Sequence, residues 1–280
     1  MATIITSNFA RTLSGYEADL NYCILYQGTV SEALAAHWQA SELTGANIAI
    51  MGPESGAPVV LRFIDYPNAV KAAPRPGWFA LEICIQNAAA LYEKLYKGVS
   101  FRPFAKPKPL PFSDALIPMQ CKGSAGEIIY LNEIRSSTAD IDLPLAQSEV
   151  DHLFISVLTA GDMEASHSFY ANALGIQVNE HHEIPYKTLN RVFGLPLDTP
   201  HKLVTLGQPR RVTLEINQAP KAAKKAAGLS EGIWMVTFMA ETFDGVISPV
   251  LTLEDAPYYG ARSAIGTGPD GERFELINLG

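Results

Sequence analysis

One order of predicted elements, an apolar strand, a helix and three further strands, returns four times in these 280 residues. Nothing else constrains the fold as strongly, because a unit with one apolar sheet face cannot bury that face alone and must pack on its neighbours. In the first unit LNYCILY (20–26) reads as an apolar, aromatic strand. SEALAAHWQASELTG (31–45) follows as a helix capped by Ser31 and stopped by Gly45, and NIAIM and PVVLRFI supply the next strands. The second unit has FALEICI (79–85), the helix NAAALYEKLYKG (87–98), then VSFRPF, ALIPMQC and GEIIYLNEI. The third has DHLFISV (151–157), the helix DMEASHSFYANALG (162–175), then IQVNE, HKLVTLG and RRVTLEIN. The fourth runs from GIWMVTFMA through TFDGVISPVL to a short strand near Tyr258, then ARSAIG and ERFELINL. The expected class is α+β, with four βαβββ modules in two pairs. The polar stretch RSSTADIDLPLAQSE separates the pairs, so the expected division is an N-terminal domain at 1–135, a linker at 136–149 and a C-terminal domain at 150–280.

The length suits two domains of about 140 residues, each able to bury a core. Apolar residues at 48% and charged residues at 18% place the chain among folded globular proteins. A net charge of −8 provides no basic stripe for phosphate backbones, and the cluster Lys221, Lys224 and Lys225 reads as a solvated connector. Nucleic acid is therefore not an expected partner. The opening residues lack a leader pattern, and no window reaches the ~18 consecutive apolar residues of a membrane span, so a cytoplasmic location without membrane contact is expected. Cys23, Cys84 and Cys121 are odd in number and set among apolar residues, which suggests buried thiols.

DHLFISV followed by SFYANALGIQV resembles the opening signature of a vicinal oxygen chelate module. GPDGERFELINL resembles the closing signature, in which an aspartate-glycine turn precedes a strand carrying an acidic ligand. The chain thus resembles the superfamily of glyoxalases, bleomycin resistance proteins and extradiol dioxygenases, in motif over its second half and in element order over its first. The resemblance implies two glyoxalase-like domains with any active site in the C-terminal one. It also implies curved sheets with a cavity, and metal ligands on the first and last strand of each unit.

Strand parity selects residues at those positions. Leu153, Ile155 and Val157 share one face of their strand, which leaves His152 on the other; Glu215 lies opposite Val212, Leu214 and Ile216, and Glu275 opposite Phe274 and Leu276. The resemblance makes His152, Glu215 and Glu275 the expected ligands of a divalent metal ion, Mn²⁺, Fe²⁺, Zn²⁺ or Co²⁺. The fourth unit departs from the pattern, offering only Ile233 or Trp234 on its first strand. In the N-terminal half the corresponding positions hold Asn21 or Leu20, Arg62, Phe79 and Tyr130, so that half is expected to be metal-free. Its Tyr22, Tyr26, Phe79 and Tyr130 either line an aromatic pocket or pack a core. His201, Tyr258 and Tyr259 are the expected acid–base residues. His181, His182 and Glu183 read as an exposed loop, since consecutive strand residues face opposite sides and do not converge on one ion. His37 and His167 read as packing residues.

The leading expectation is a metal-dependent lyase or isomerase acting on a small oxygen-rich metabolite. An Fe²⁺ extradiol dioxygenase of catechol-like substrates and a metal-free binding or resistance protein are the alternatives. The expected partners are a small-molecule substrate and a second copy of the chain in a homodimer.

Overall fold

The computed structural model describes residues 1–109, 114–137, 141–220, 228–243, 246, 248–254 and 256–280. Unit one contains β1 (Ala2–Thr6), α1 (Phe9–Leu20), β2 (Tyr22–Thr29), α2 (Glu32–His37), β3 (Asn47–Pro53) and β4 (Leu61–Asp65). Unit two contains β5 (Gly77–Ile85), α3 (Ala88–Lys97), β6 (Arg102–Pro103), β7 (Leu116–Lys122) and β8 (Ile128–Ile134). Unit three contains β9 (Val150–Ala160), α4 (Met163–Leu174), β10 (Gln177–Pro185), α5 (Lys187–Phe193), β11 (Pro200–Gln208) and β12 (Arg211–Gln218). Unit four contains β13 (Gly232–Met239), β14 (Leu251–Leu253), β15 (Ala261–Thr267) and β16 (Arg273–Asn278).

The helix ends follow local chemistry. The Asn8 side chain accepts from the Arg11 amide to start α1, and Asn21 closes it in the left-handed region at φ 55°. Asp162 caps α4 in the same way, and Gly175 ends it at φ 61°.

Several sequence expectations need correction. LNYCILY is the second strand of unit one, not the first, because ATIIT and the helix after it precede it. The helix expected over 31–45 is the six-residue α2 followed by a short 3₁₀ turn, since Gln39 takes a positive φ of 51° that interrupts it. Among the described residues unit four has no helix between β13 and β14, and its short strand lies at Leu251–Leu253 while 256–260 form turns. His181, His182 and Glu183 lie within β10 rather than in a loop. The lysine cluster at 221, 224 and 225 lies outside the described residues.

Hydrogen bonding joins the units across the middle of the chain. One eight-stranded sheet runs β14-β15-β16-β13-β1-β4-β3-β2, and the other runs β10-β11-β12-β9-β5-β8-β7-β6. Units four and one meet through the antiparallel pair β1–β13, and units three and two through β5–β9. The expected boundaries of 1–135 and 150–280 therefore mark units along the sequence but do not enclose a sheet each. An irregular crossing near Val70, which bridges to Ser230, carries the chain from the first sheet to the second before β5 can pair locally.

Both sheets turn one face to a shared core that includes Phe63, Leu81, Leu131, Leu214 and Phe274. α1, α3 and α4 contribute Tyr16, Leu91 and Tyr170 to it. The opposite, outer faces carry two separate clusters, one around Ile5, Trp38, Met235 and Tyr258 and one around Ala80, Tyr130, Val157 and Leu189. No described helix is long and apolar enough to cross a membrane.

Candidate functional site

The four inner strands of each sheet bring one position apiece to the middle of the outer face. In the first sheet Thr3 registers with Arg62 and Thr237 with Glu275. In the second, Glu82 registers with both Tyr130 and Ile155, and Glu215 with Val157.

The first sheet's centre is closed on itself. Arg62 and Glu275 form an ion pair at 3.1 Å, with neither side chain exposed. Glu275 also accepts from Tyr258 and Thr237, each at 2.7 Å, and from Ser263 at 3.1 Å. Arg62 donates to Thr3 and Tyr258 and lies 4.6 Å over the Trp38 ring. Burial opposes ionisation of Glu275, but Arg62 and the hydroxyl donors outweigh it and hold the carboxyl below its ordinary range. The residues here do not fit a metal ion, because the guanidinium already supplies the cation and the carboxylate's acceptor sites are filled.

The second sheet's centre holds two carboxylates without a cation between them. Glu82, on β5, and Glu215, on β12, flank β9, and neither pairs with a lysine or arginine among the described residues. Burial raises Glu82 well above the ordinary carboxylate range, and the charge of Glu215 adds to the effect. Burial raises Glu215 as well, against hydrogen bonds from Asn217 and Tyr186 and the nearby His182. Asn132 donates to Glu82 at 2.7 Å, Asn217 to Glu215 at 2.7 Å and Tyr186 to Glu215 at 3.0 Å. Asn217 Oδ1 is buried with no hydrogen-bond partner, which normally costs about 1–3 kcal/mol, and the buried Tyr130 hydroxyl faces the side chains of Tyr186 and Thr188. Leu189 and Phe193 of α5 pack over this face beside Tyr186. Two anionic oxygens sets, an amide oxygen and a phenol make a hard, all-oxygen donor set that suits a divalent cation. Beside it, a cavity of about 300 Å³ is lined by Phe79, Phe104, Ile128, Arg75, Lys122 and Arg191.

The structure does not gather the residues expected from the sequence. Glu215 and Glu275 lie on different sheets. His152 lies five residues along β9 from the partner of Glu215, a run of about 16 Å at the usual strand rise. It meets Asp151 at 3.1 Å and Cys84 at 3.8 Å instead. Burial pushes the Cys84 thiol up to about 12, so it is not a thiolate nucleophile at neutral pH. The parity expected for β9 fails at a bulge: Leu153 registers with Ile83 and Ile155 with Glu82, so Leu153 faces the shared core while Ile155 and Val157 face outward. The parity expected for Leu214 and Ile216 against Glu215, and for Phe274 and Leu276 against Glu275, agrees with the core assignments.

Of the expected acid–base residues, His201 is buried with Nε2 2.6 Å from Asn190 Oδ1, and burial lowers its pKa. Tyr258 belongs to the Arg62–Glu275 network, and Tyr259 is 74% exposed. Tyr22, Tyr26 and the pair Phe79 and Tyr130 fall in three separate clusters and do not line one pocket. Glu82 was missed. Its signal is a single charge among the six apolar residues of FALEICI, whereas the expected matching position is Phe79.

No family model and no curated protein sequence matches the chain. Among solved structures, glyoxalase I from Zea mays is similar at 16% identity and a TM-score of 0.66, over 99% of this chain and 91% of that one. A variant of the same Zea mays enzyme gives 15% identity and a TM-score of 0.68, over 99% and 92%. A putative dioxygenase from Bacillus subtilis gives 11% identity and a TM-score of 0.64, over 99% and 83%. At these identities the likeness is one of architecture. The chain therefore shares the fold of these glyoxalase-type structures, with four strand-rich units paired into two eight-stranded sheets.

Proposed function

We propose that this protein is a metal-dependent lyase or isomerase acting on a small oxygen-rich metabolite, with its centre on the outer face of the second sheet. One observation carries the reading: Glu82 is buried and Glu215 half-buried on one face, each pushed above the ordinary carboxylate range, and neither pairs with a lysine or arginine among the described residues. Two such carboxylates require a shared proton or a bound cation, because like charges in a buried site cannot both stay ionised uncompensated. Glu82 and Glu215 would hold a divalent ion, with the unpartnered Asn217 Oδ1 available to it or to the substrate and the Tyr130 hydroxyl beside Tyr186. Mn²⁺ is the best match among the expected ions to donors that are all oxygen. When bound, such an ion stabilises negative charge on adjacent substrate oxygens as a Lewis acid. Tyr186, which donates to Glu215, orients that carboxylate, while α5 limits water at the site. Arg75, Lys122 and Arg191 beside the cavity favour a substrate carrying an anionic group.

The dioxygenase alternative is disfavoured, since Tyr130, Ile155 and Val157, the positions in register with Glu82 and Glu215, supply no imidazole for a site of two histidines and one carboxylate. Metal analysis of tag-free protein tests the proposal. Glu82→Gln and Glu215→Gln should each lose bound Mn²⁺, whereas Glu275→Gln should keep it. Retention of the ion in both second-sheet variants would refute the assignment, and parent protein that never binds an ion would favour the metal-free binding class. Oxygen uptake with catechols would revive the dioxygenase reading.

A further inference from the structure

The opposite face of the second sheet carries a second group of potential ligands, and it has a different chemical character. Glu164 lies in the first turn of α4, and His167 follows three residues later on the same side of the helix. His181 reaches them from β10. Its register partner, Val204, belongs to the shared core against which α4 packs, so His181 points to the helix side. His182, the next residue, points to the other face and acts electrostatically on Glu215. Alternation along the strand therefore keeps the two histidines apart, as the sequence implied, and gives His181 different companions from its neighbours in sequence.

The donor atoms converge. His167 Nε2 lies 2.7 Å from Glu164 Oε2, His181 Nδ1 lies 3.9 Å from Glu164 Oε1, and one ligand atom from each of the three lies within 4.8 Å of the other two. The two imidazole rings sit nearly perpendicular, with centroids 5.4 Å apart. A tetrahedral ion with bonds of ~2.0 Å needs donors about 3.3 Å apart, so shifts of about 1 Å would complete the site. Glu164 and His181 have room for them, with side chains 71% and 46% exposed. His167 is held more tightly, at 13% exposure, and its Nδ1 is buried without a partner while Nε2 faces the cluster. That orientation leaves Nε2 as the nitrogen able to bind an external ligand.

We propose that Glu164, His167 and His181 form a binding site for a borderline divalent cation such as Zn²⁺ or Ni²⁺, separate from the carboxylate pair on the other face. Two imidazoles and one carboxylate favour these ions over Mg²⁺ or Ca²⁺, which prefer oxygen donors alone. The ion would tie α4 to the edge strand β10, whose chain leads directly to Tyr186 above Glu215.

The test uses the tag-free full chain carrying Glu82→Gln and Glu215→Gln, so that failure of the proposed function does not affect the result. Calorimetric titration with ZnCl₂ should show one saturable site, and titration with MgCl₂ none. Adding His181→Ala should weaken Zn²⁺ binding roughly tenfold or more, as should His167→Ala, whereas His182→Ala should leave it unchanged. With Cu²⁺ as probe, electron paramagnetic resonance should show coupling to two imidazole nitrogens, reduced to one in His181→Ala. Because His181 is partly exposed, that variant keeps the test valid should His167→Ala fail to fold. Absence of Zn²⁺ binding, or binding that His181→Ala leaves intact, would overturn the proposal and leave Glu164 and His167 as a surface hydrogen-bonded pair.

Discussion

Replacing Arg62 with methionine removes the cation from a pair that meets at 3.1 Å with no exposure of either side chain. Methionine retains much of the volume under Trp38, so the main change is electrostatic. Glu275 would keep donors in Tyr258, Thr237 and Ser263 but lose its counter-charge. Breaking such a pair costs about 3–5 kcal/mol, and a chain of this size loses about 2–4 °C per kcal/mol, so the melting temperature should fall by about 6–20 °C. The pH dependence gives a second, signed test. In the parent protein Glu275 is held below the ordinary carboxylate range, so its contribution is present above the unfolded value and disappears as pH falls through the depressed one. Without Arg62, burial is the largest remaining influence and it favours the protonated acid. The deficit in Arg62→Met should therefore shrink as pH is lowered from about 8 to about 5. Urea unfolding followed by circular dichroism at both pH values measures this directly. A deficit below about 1 kcal/mol at both, the scale of an exposed pair, would refute the reasoning. The double replacement Arg62→Met with Glu275→Leu should recover most of the loss, because no buried charge then remains.

Glu127 offers an independent pH test: burial pushes its carboxyl up to about 7, even though Tyr16 donates to it at 2.9 Å. An acid raised on folding contributes stability below its unfolded value and loses it as pH rises through about 7, so Glu127→Gln should gain about 3 kcal/mol on the parent between pH 4 and pH 8 in unfolding titrations. Cleavage between 136 and 149 should leave the two fragments associated in size-exclusion chromatography, because each sheet takes strands from both; fragments that separate and stay folded would count against the crossed pairing.

Much of the fold was legible because apolar runs and helix ends are encoded locally. FALEICI, DHLFISV and RVTLEIN all lie in strands, and Asp162 and Gly175 bound α4 where cap chemistry implies. The first strand and helix escaped because ATIIT is only five residues long and α1 interleaves Arg11, Glu17 and Asp19 with its apolar side. That slip placed the first unit's inner position at Asn21 or Leu20 instead of Thr3. The bulge in β9 defeats strict alternation, the test by which His152 is chosen on the strand the resemblance points to. Pairing between units is set by long-range ladders such as β1 with β13, which leave no local trace in either segment.

The crossed pairing also explains why the candidate site could not be found within one half of the chain. Glu275 is contributed by unit four, and the arginine that neutralises it by unit one; Glu215 comes from unit three, and the carboxylate it faces from unit two. Each outer face is thus composed of one contribution from either half, and its charge balance is a property of the pair. Equivalent architecture has been filled in opposite ways. A guanidinium in the first sheet satisfies the carboxylate and makes the face a rigid, closed core, whereas the second sheet has Tyr130 where the first has Arg62 on the last strand of the earlier unit. A neutral phenol in place of a cation leaves two carboxylates to be compensated by a shared proton or a bound cation. On the proposed function, chemistry belongs to the face that lacks its own counter-charge, and introducing arginine at position 130 should convert it to the closed kind, with Mn²⁺ binding lost while the fold persists. Metal analysis and circular dichroism of Tyr130→Arg would decide it, and an ion retained in a folded variant would show that charge balance does not distinguish the two faces.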